Sequence, residues 1–93
     1  MIKVDIEKLK QKKLEELKNY ISSLFAPTDY IVIKIAEAQT IGDTAQVDSL
    51  KQKYSAQLQR REAIRQWNEQ TKQAIQNAQT IDELRSIVIQ FSG

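Results

Sequence analysis

The sequence predicts an all-α protein: a small helical bundle or helical hairpin with one long helix. Three observations carry that expectation. Two glycines and one proline in 93 residues leave too little material for the tight turns of a multi-stranded sheet. The segment KQKYSAQLQRREAIRQWNEQTKQAIQNAQ is dominated by Gln, Lys, Arg, Glu and Ala, all good helix formers. Apolar residues also return at intervals of three and four, first in the N-terminal quarter and again from Val47. The expected helices span residues 5–25, 29–38, 44–78 and 81–91, with 1–26 a lysine-rich amphipathic unit and 27–93 a helical module.

The first helix is read from DIEKLKQKKLEELKNY, where Leu9, Leu14 and Leu17, continued by Ile21 and Leu24, form an apolar seam. Lys8, Lys10, Lys12, Lys13 and Lys18 are expected on the opposite, solvated side, paired with Glu7, Glu15 and Glu16.

The stretch APTDYIVIKIAEAQTIGD, residues 26–43, pulls two ways. Ile31, Val32, Ile33 and Ile35 favour a strand by propensity. The flanks favour a helix, because Pro27 should push Ala26 out of the helical region and end the first helix, leaving Thr28 to cap a second with Asp29 in its first turn. Ile31, Ile35 and Ala38 then share a face, widened by Tyr30 and Ile33. The competing arrangement is α+β, with a short sheet joining this segment to MIKVDI and SIVIQF.

AQTIGD at 38–43 recurs as AQTIDE at 78–83, and both copies read as helix junctions. In the first, Gly42 loosens the turn and Asp43 or Thr44 caps the long helix. In the second, Thr80 and Glu83 form a capping box ahead of a stripe of Leu84, Ile87, Val88 and Phe91.

Val47, Leu50, Tyr54 and Leu58 make one face of the long helix, but Ile64, Trp67, Thr71, Ile75 and Ala78 do not continue it. At ~100° per residue, Trp67 lies about 180° from Leu58. The helix must therefore break or change its packing partner across Gln59, Arg60, Arg61, Glu62 and Ala63, and a continuous helix with a second face for another copy of the chain is the simpler expectation. Gln57, Arg61 and Asn68 at heptad positions would make a poor uninterrupted coiled coil.

Composition narrows the chemistry. With 41% hydrophobic residues the chain builds one thin core, burying roughly 60–65% of its surface. No cysteine and no histidine are present, which removes disulfides, thiolate or imidazole metal sites and histidine-based catalysis. The longest apolar run, Tyr30 to Ile33, is far short of the ~20 residues that cross a bilayer, and no cleavable leader is read at Met1, so a soluble protein is expected. Fourteen basic and twelve acidic residues give a net charge of +2, too small to argue for nucleic acid without clustering.

Residues 24–66, LFAPTDYIVIKIAEAQTIGD…KYSAQLQRREAIRQ, resemble the small module of phage tail assembly chaperones and related tail-fibre accessory proteins. That module reads Leu, variable residues, Thr-Asp, an aromatic, apolar residues, a basic residue and a Glu before a Gly-containing turn, then a helix with Tyr and repeated Arg. Leu24, Thr28, Asp29, Tyr30, Lys34, Glu37 and Gly42 follow this order, with Tyr30 where Trp is more common, Lys34 in place of Arg, Leu24 one residue early and Gly42 late. Tyr54, Arg61 and Arg65 match the aromatic and basic positions of the following helix. A lysine-rich helix stands in place of the family's larger upstream domain, and a C-terminal helix is added. The resemblance implies a phage or prophage protein that binds a tail or tail-fibre protein to assist its folding or assembly. It would act in the host cytoplasm, with retention in the virion open; no cofactor and no membrane are expected. The residues themselves lead to a homo-oligomer formed through the N-terminal seam or the second face of the long helix.

Aromatic and arginine side chains dominate interface energetics when clustered. Tyr30, Tyr54, Arg61, Arg65 and Trp67, with Lys34 from the resemblance, are therefore the candidate partner-binding set, while Phe25 and Phe91 are assigned to the core. Two other classes compete with protein binding. Asp29 and Glu37 could serve acid–base catalysis, but eight residues of helix separate them by about 12 Å, so no enzyme is expected. Arg60, Arg61 and Arg65 beside Trp67 could track a phosphate backbone, but Glu62 and Glu69 sit among them. A self-associating scaffold component of the tail is the further alternative.

Overall fold

A computed structural model describes residues 5–92. They form five α-helices, α1 (Ile6–Phe25), α2 (Asp29–Thr40), α3 (Thr44–Lys53), α4 (Ser55–Asn77) and α5 (Ile81–Ser86), with a 3-10 turn at Ala26–Thr28. The fold is all-α, and no strand occurs among the described residues. The middle segment of the α+β alternative is α2, its C-terminal segment makes no ladder, and residues 1–4 of its leading segment lie outside the described residues.

The chain is a long antiparallel hairpin. α1 and α2 follow one another in the outgoing arm, α3 and α4 in the returning arm, and α1 packs on α4 while α2 packs on α3. The molecule measures 64 × 23 × 19 Å. Its length exceeds that of its longest helix, about 35 Å at 1.5 Å per residue, so helices must be laid end to end.

Asp5 starts α1 by accepting the Glu7 N–H at 3.0 Å. The expected seam is the packed face: Leu17 is buried, and Ile6, Leu9, Leu14 and Ile21 lean on Ile75, Ala78 and Leu84. The lysines do not all point to solvent, which corrects the expectation of a purely solvated basic face. The Lys10 side chain is only 14% exposed, and its ammonium donates to the Gln76 carbonyl at 2.9 Å, one of the last-turn carbonyls that α4 cannot satisfy internally.

α1 ends at Phe25 as expected, but by a different route. Ala26 keeps helical angles, φ −50° and ψ −45°, and the chain crosses Pro27 in one tight turn closed by the Asp29 N–H on the Ala26 carbonyl. Proline removes a donor, and the 3-10 turn absorbs that loss without sending the backbone extended. Thr28 consequently does not cap α2; its hydroxyl turns back and donates to the Phe25 carbonyl at 3.2 Å.

The hairpin tip is a Schellman turn: the Asp43 N–H bonds to the Ala38 carbonyl at 2.9 Å and the Gly42 N–H to the Gln39 carbonyl at 3.1 Å. Gly42 has φ +74°, the left-handed conformation this turn demands. Asp43 then caps α3 by accepting the Gln46 N–H at 3.0 Å.

The helical run expected over 44–78 is present, divided into α3 and α4 by a joint at Tyr54, φ −109° and ψ 24°. Helical hydrogen bonds still cross it, from Tyr54 N–H to the Leu50 carbonyl and from Leu58 N–H to the Tyr54 carbonyl. α4 runs unbroken through 59–63. The run breaks at Tyr54, not across 59–63, and its packing partner changes from α2 along α3 to α1 along α4. The second face lies inside the hairpin, where another copy of the chain was expected: Arg61, Ile64, Thr71 and Ile75 are all buried. These residues, half-buried Asn68 and Ala78 recur at three- and four-residue spacing on one seam, with Leu58 and Trp67 flanking its two edges.

At the far end, Thr80 accepts the Glu83 N–H at 3.1 Å. Glu83 reaches back to the Gln79 N–H at 2.8 Å, one residue before the cap. α5 stops at Ser86, not at residue 91. From Ile87 the chain is extended, with Ile87, Ile89 and Phe91 turned inward and Val88 and Gln90 outward. The period is two, as an extended segment requires, and Val88, expected in the buried stripe, is 68% exposed.

Candidate functional site

The six candidate partner-binding residues separate into three environments. Tyr30, Lys34 and Tyr54 meet at the inner end of the α2–α3 pair, beside the joint at Tyr54 and away from the turn at Gly42. Arg61 and Arg65 stand at the level of the 3-10 turn. Trp67 belongs to the opposite end.

Trp67 is packed within the molecule. Its ring meets Tyr20 edge-on at 5.7 Å and Phe91 at the same centroid distance in a tilted contact. The Phe91 N–H donates to the Tyr20 hydroxyl at 3.0 Å, which ties the extended C-terminal segment to α1. Aromatic pairs of this kind contribute ~0.5–1.5 kcal/mol each beyond the area they bury. Phe91, expected in the core, is half-buried and packs on Trp67 at its margin.

Arg61 is turned inward and 8% exposed. Its Nη1 donates to the Phe25 carbonyl at 3.1 Å, to Thr28 Oγ1 at 2.7 Å and to Asp29 Oδ1 at 3.1 Å. The guanidinium lies 4.4 Å from the Phe25 ring centroid. Nε is buried with no acceptor among the described residues. Asp29, considered above for acid–base chemistry, is here the counter-charge of this latch. Arg65 remains exposed and pairs with Glu62 at 2.7 Å, a contact between solvated groups worth ~0–1 kcal/mol.

Besides Arg65, the members of the predicted set that reach the surface are Tyr30, Lys34 and half-buried Tyr54 on the α2–α3 pair. Tyr30 and Tyr54 meet edge to face at 5.8 Å across the two arms. Lys34 Nζ lies 5.6 Å from the Tyr30 ring centroid and Lys53 Nζ 5.2 Å from that of Tyr54. The α2–α3 core beneath is small, Ala38, Val47 and Leu50 with Ile35 and Tyr54 against it. Tyr30 is 46%, Ile33 57% and Ile41 77% exposed, because α2 carries more apolar residues than its one partner helix can cover. Between α2 and α3 runs a groove of about 530 Å³ lined by Lys34, Glu37, Ala38, Leu50, Lys53 and Tyr54 among others.

Ile33, Ile41 and Lys53 were absent from the predicted set. The signal for Ile33 and Ile41 was available in the number of large apolar residues between 30 and 41, which exceeds what one helix face buries. Lys53 had no comparable signal, since its role depends on the joint at Tyr54.

No family model, curated protein or solved structure matches this chain. No helix among the described residues is long and apolar enough to cross a membrane.

Proposed function

We propose that this chain is a non-enzymatic helical protein that docks onto another protein through the α2–α3 end of its hairpin. The observation that carries this reading is the exposed apolar surface around the Tyr30–Tyr54 pair. Large apolar side chains left uncovered on one helix of a small protein mark an interaction surface, and tyrosine with aliphatic neighbours is a common composition of interface centres. The chemistry on offer is desolvation plus two tyrosine hydroxyls and two ammonium donors, which suits binding.

The partner in this proposal is a phage tail or tail-fibre protein, whose folding or assembly the chain assists. Support comes from the resemblance of residues 24–66 to tail assembly chaperones, of which Tyr30, Lys34 and Tyr54 are positions that meet on the α2–α3 pair. Arg61 and Trp67 have structural work inside the hairpin, so they support the docking end without forming it. Co-expression with the tail and tail-fibre proteins of the same genome tests the proposal. A tail protein should co-purify with the wild-type chain and be lost with Tyr30→Asp, while retention by the variant would contradict docking at this end.

A further inference from the structure

We infer that the groove between α2 and α3 receives an acidic, apolar segment of the partner protein, a short stretch carrying aliphatic side chains flanked by carboxylates. The inference rests on the docking reading above and names the chemistry of what is docked.

Shape and apolarity come first. The groove, about 530 Å³, is within the size range of sites that seat several side chains. Ala38 from α2 and Leu50 from α3, both buried, form its floor, and Ile41 stands on its rim. An occupant must cover Ile41 and meet that floor, which calls for aliphatic groups.

Charge then selects among apolar occupants. Lys34 stands on the α2 wall and Lys53 on the α3 wall. Each ammonium is held beside a tyrosine ring, and neither is in an ion pair among the described residues. Glu37 is the one carboxylate in the lining, so two positive charges face one negative. An ammonium held against a ring retains N–H donors that the ring does not satisfy, and carboxylates of an incoming segment complete them. Nucleic acid fits less well: each tyrosine ring already has the other ring and an ammonium beside it, neighbours with which a stacking base would compete.

The test is selection of random short peptides on the full chain, followed by titration of the enriched peptides into wild type, Tyr30→Asp and a Lys34→Glu/Lys53→Glu double variant. Both lysines are exposed, so the double variant should keep the wild-type circular dichroism spectrum. Enriched peptides should interleave Asp or Glu with Leu, Ile or Phe. They should shift the amide resonances of Ala38, Leu50 and Tyr54, and lose about tenfold or more in affinity, at least ~1.4 kcal/mol, in the double variant. Apolar peptides without acidic bias that bind the double variant equally, yet fail on Tyr30→Asp, would overturn the acidic assignment and leave the docking reading standing. Peptides mapping elsewhere, or no enrichment, would overturn the inference too, with the co-purification experiment still deciding the docking reading. A dimer by light scattering that Tyr30→Asp dissociates would assign the groove to a second copy and likewise overturn it.

Discussion

Arg61 Nη1 on the returning arm lies 2.7 Å from the Thr28 hydroxyl on the outgoing arm, and the two residues fasten the 3-10 turn of the outgoing arm to the unbroken helix α4. The 3-10 turn of Ala26–Thr28 leaves carbonyls in need of donors, and the Phe25 carbonyl receives both Thr28 Oγ1 and Arg61 Nη1. The latch lies between the packed α1–α4 end and the α2–α3 tip, so it sets how the docking surface is carried.

Arg61→Ala should therefore be the most damaging single change outside the apolar seam. Hydrogen bonds to charged groups are worth ~1.5–3 kcal/mol; a loss of about 2–3 kcal/mol would lower the Tm of a chain this size by roughly 10–20 °C. Thr28→Val, which removes the acceptor of Arg61 and a donor to the Phe25 carbonyl, should cost about 1–2 kcal/mol. A double-mutant cycle between them, read by thermal or urea unfolding, should give a coupling of at least ~0.5 kcal/mol. Additive effects would show that the 2.7 Å contact contributes little.

Trp67→Ala should destabilise the fold without changing the mass of the particle. Its ring touches Tyr20 and Phe91, and truncating a large aromatic in such a site costs ~3 kcal/mol or more when fully buried; half-buried, Trp67 should cost about 2 kcal/mol. Near-ultraviolet circular dichroism should collapse, and amide exchange of residues 87–92 should accelerate as the C-terminal segment lets go. A folded variant that dissociates from an oligomer would instead place Trp67 in a self-interface.

At the tip, Gly42→Ala isolates a conformational cost. A Cβ there would meet nothing within 4 Å, so the penalty is only that of holding φ +74°, about 1–2 kcal/mol for a residue with a Cβ. Gly42→Asn should cost less, because asparagine tolerates the left-handed region. Unfolding midpoints of the pair, with alanine the lower, check this.

The fold was legible where local chemistry decides it. The leucine seam of α1, the Gly42 turn, the Asp43 cap and the Thr80 cap all follow from residue type and spacing. Of the α4 seam, Ile64, Thr71, Ile75 and Ala78 were assigned from sequence, but its remaining polar members were not: Arg61 is buried and Asn68 is half-buried. The offset of the assigned residues from Leu58 was attributed to another copy of the chain, whereas it accompanies the change of partner from α2 to α1. Thr28 was assigned to its nearest helix because cap statistics are local, whereas its partner is 33 residues away. The C-terminal stripe went wrong because Ser-Ile-Val-Ile suits either period over so short a span. Of the candidate site, the tyrosines and Lys34 could be named from sequence, but which arginine faces solvent depended on the turn at Pro27.

Hydrogen exchange on the chain bound to the tail or tail-fibre protein that co-purifies with it would locate the docking surface. Docking on the α2–α3 pair predicts new protection across α2 and α3, spanning Tyr30, Lys34 and Tyr54, with the Trp67 region and α5 unchanged. Protection confined to α1, α4 or α5, with α2 and α3 exchanging as in the free chain, would contradict it.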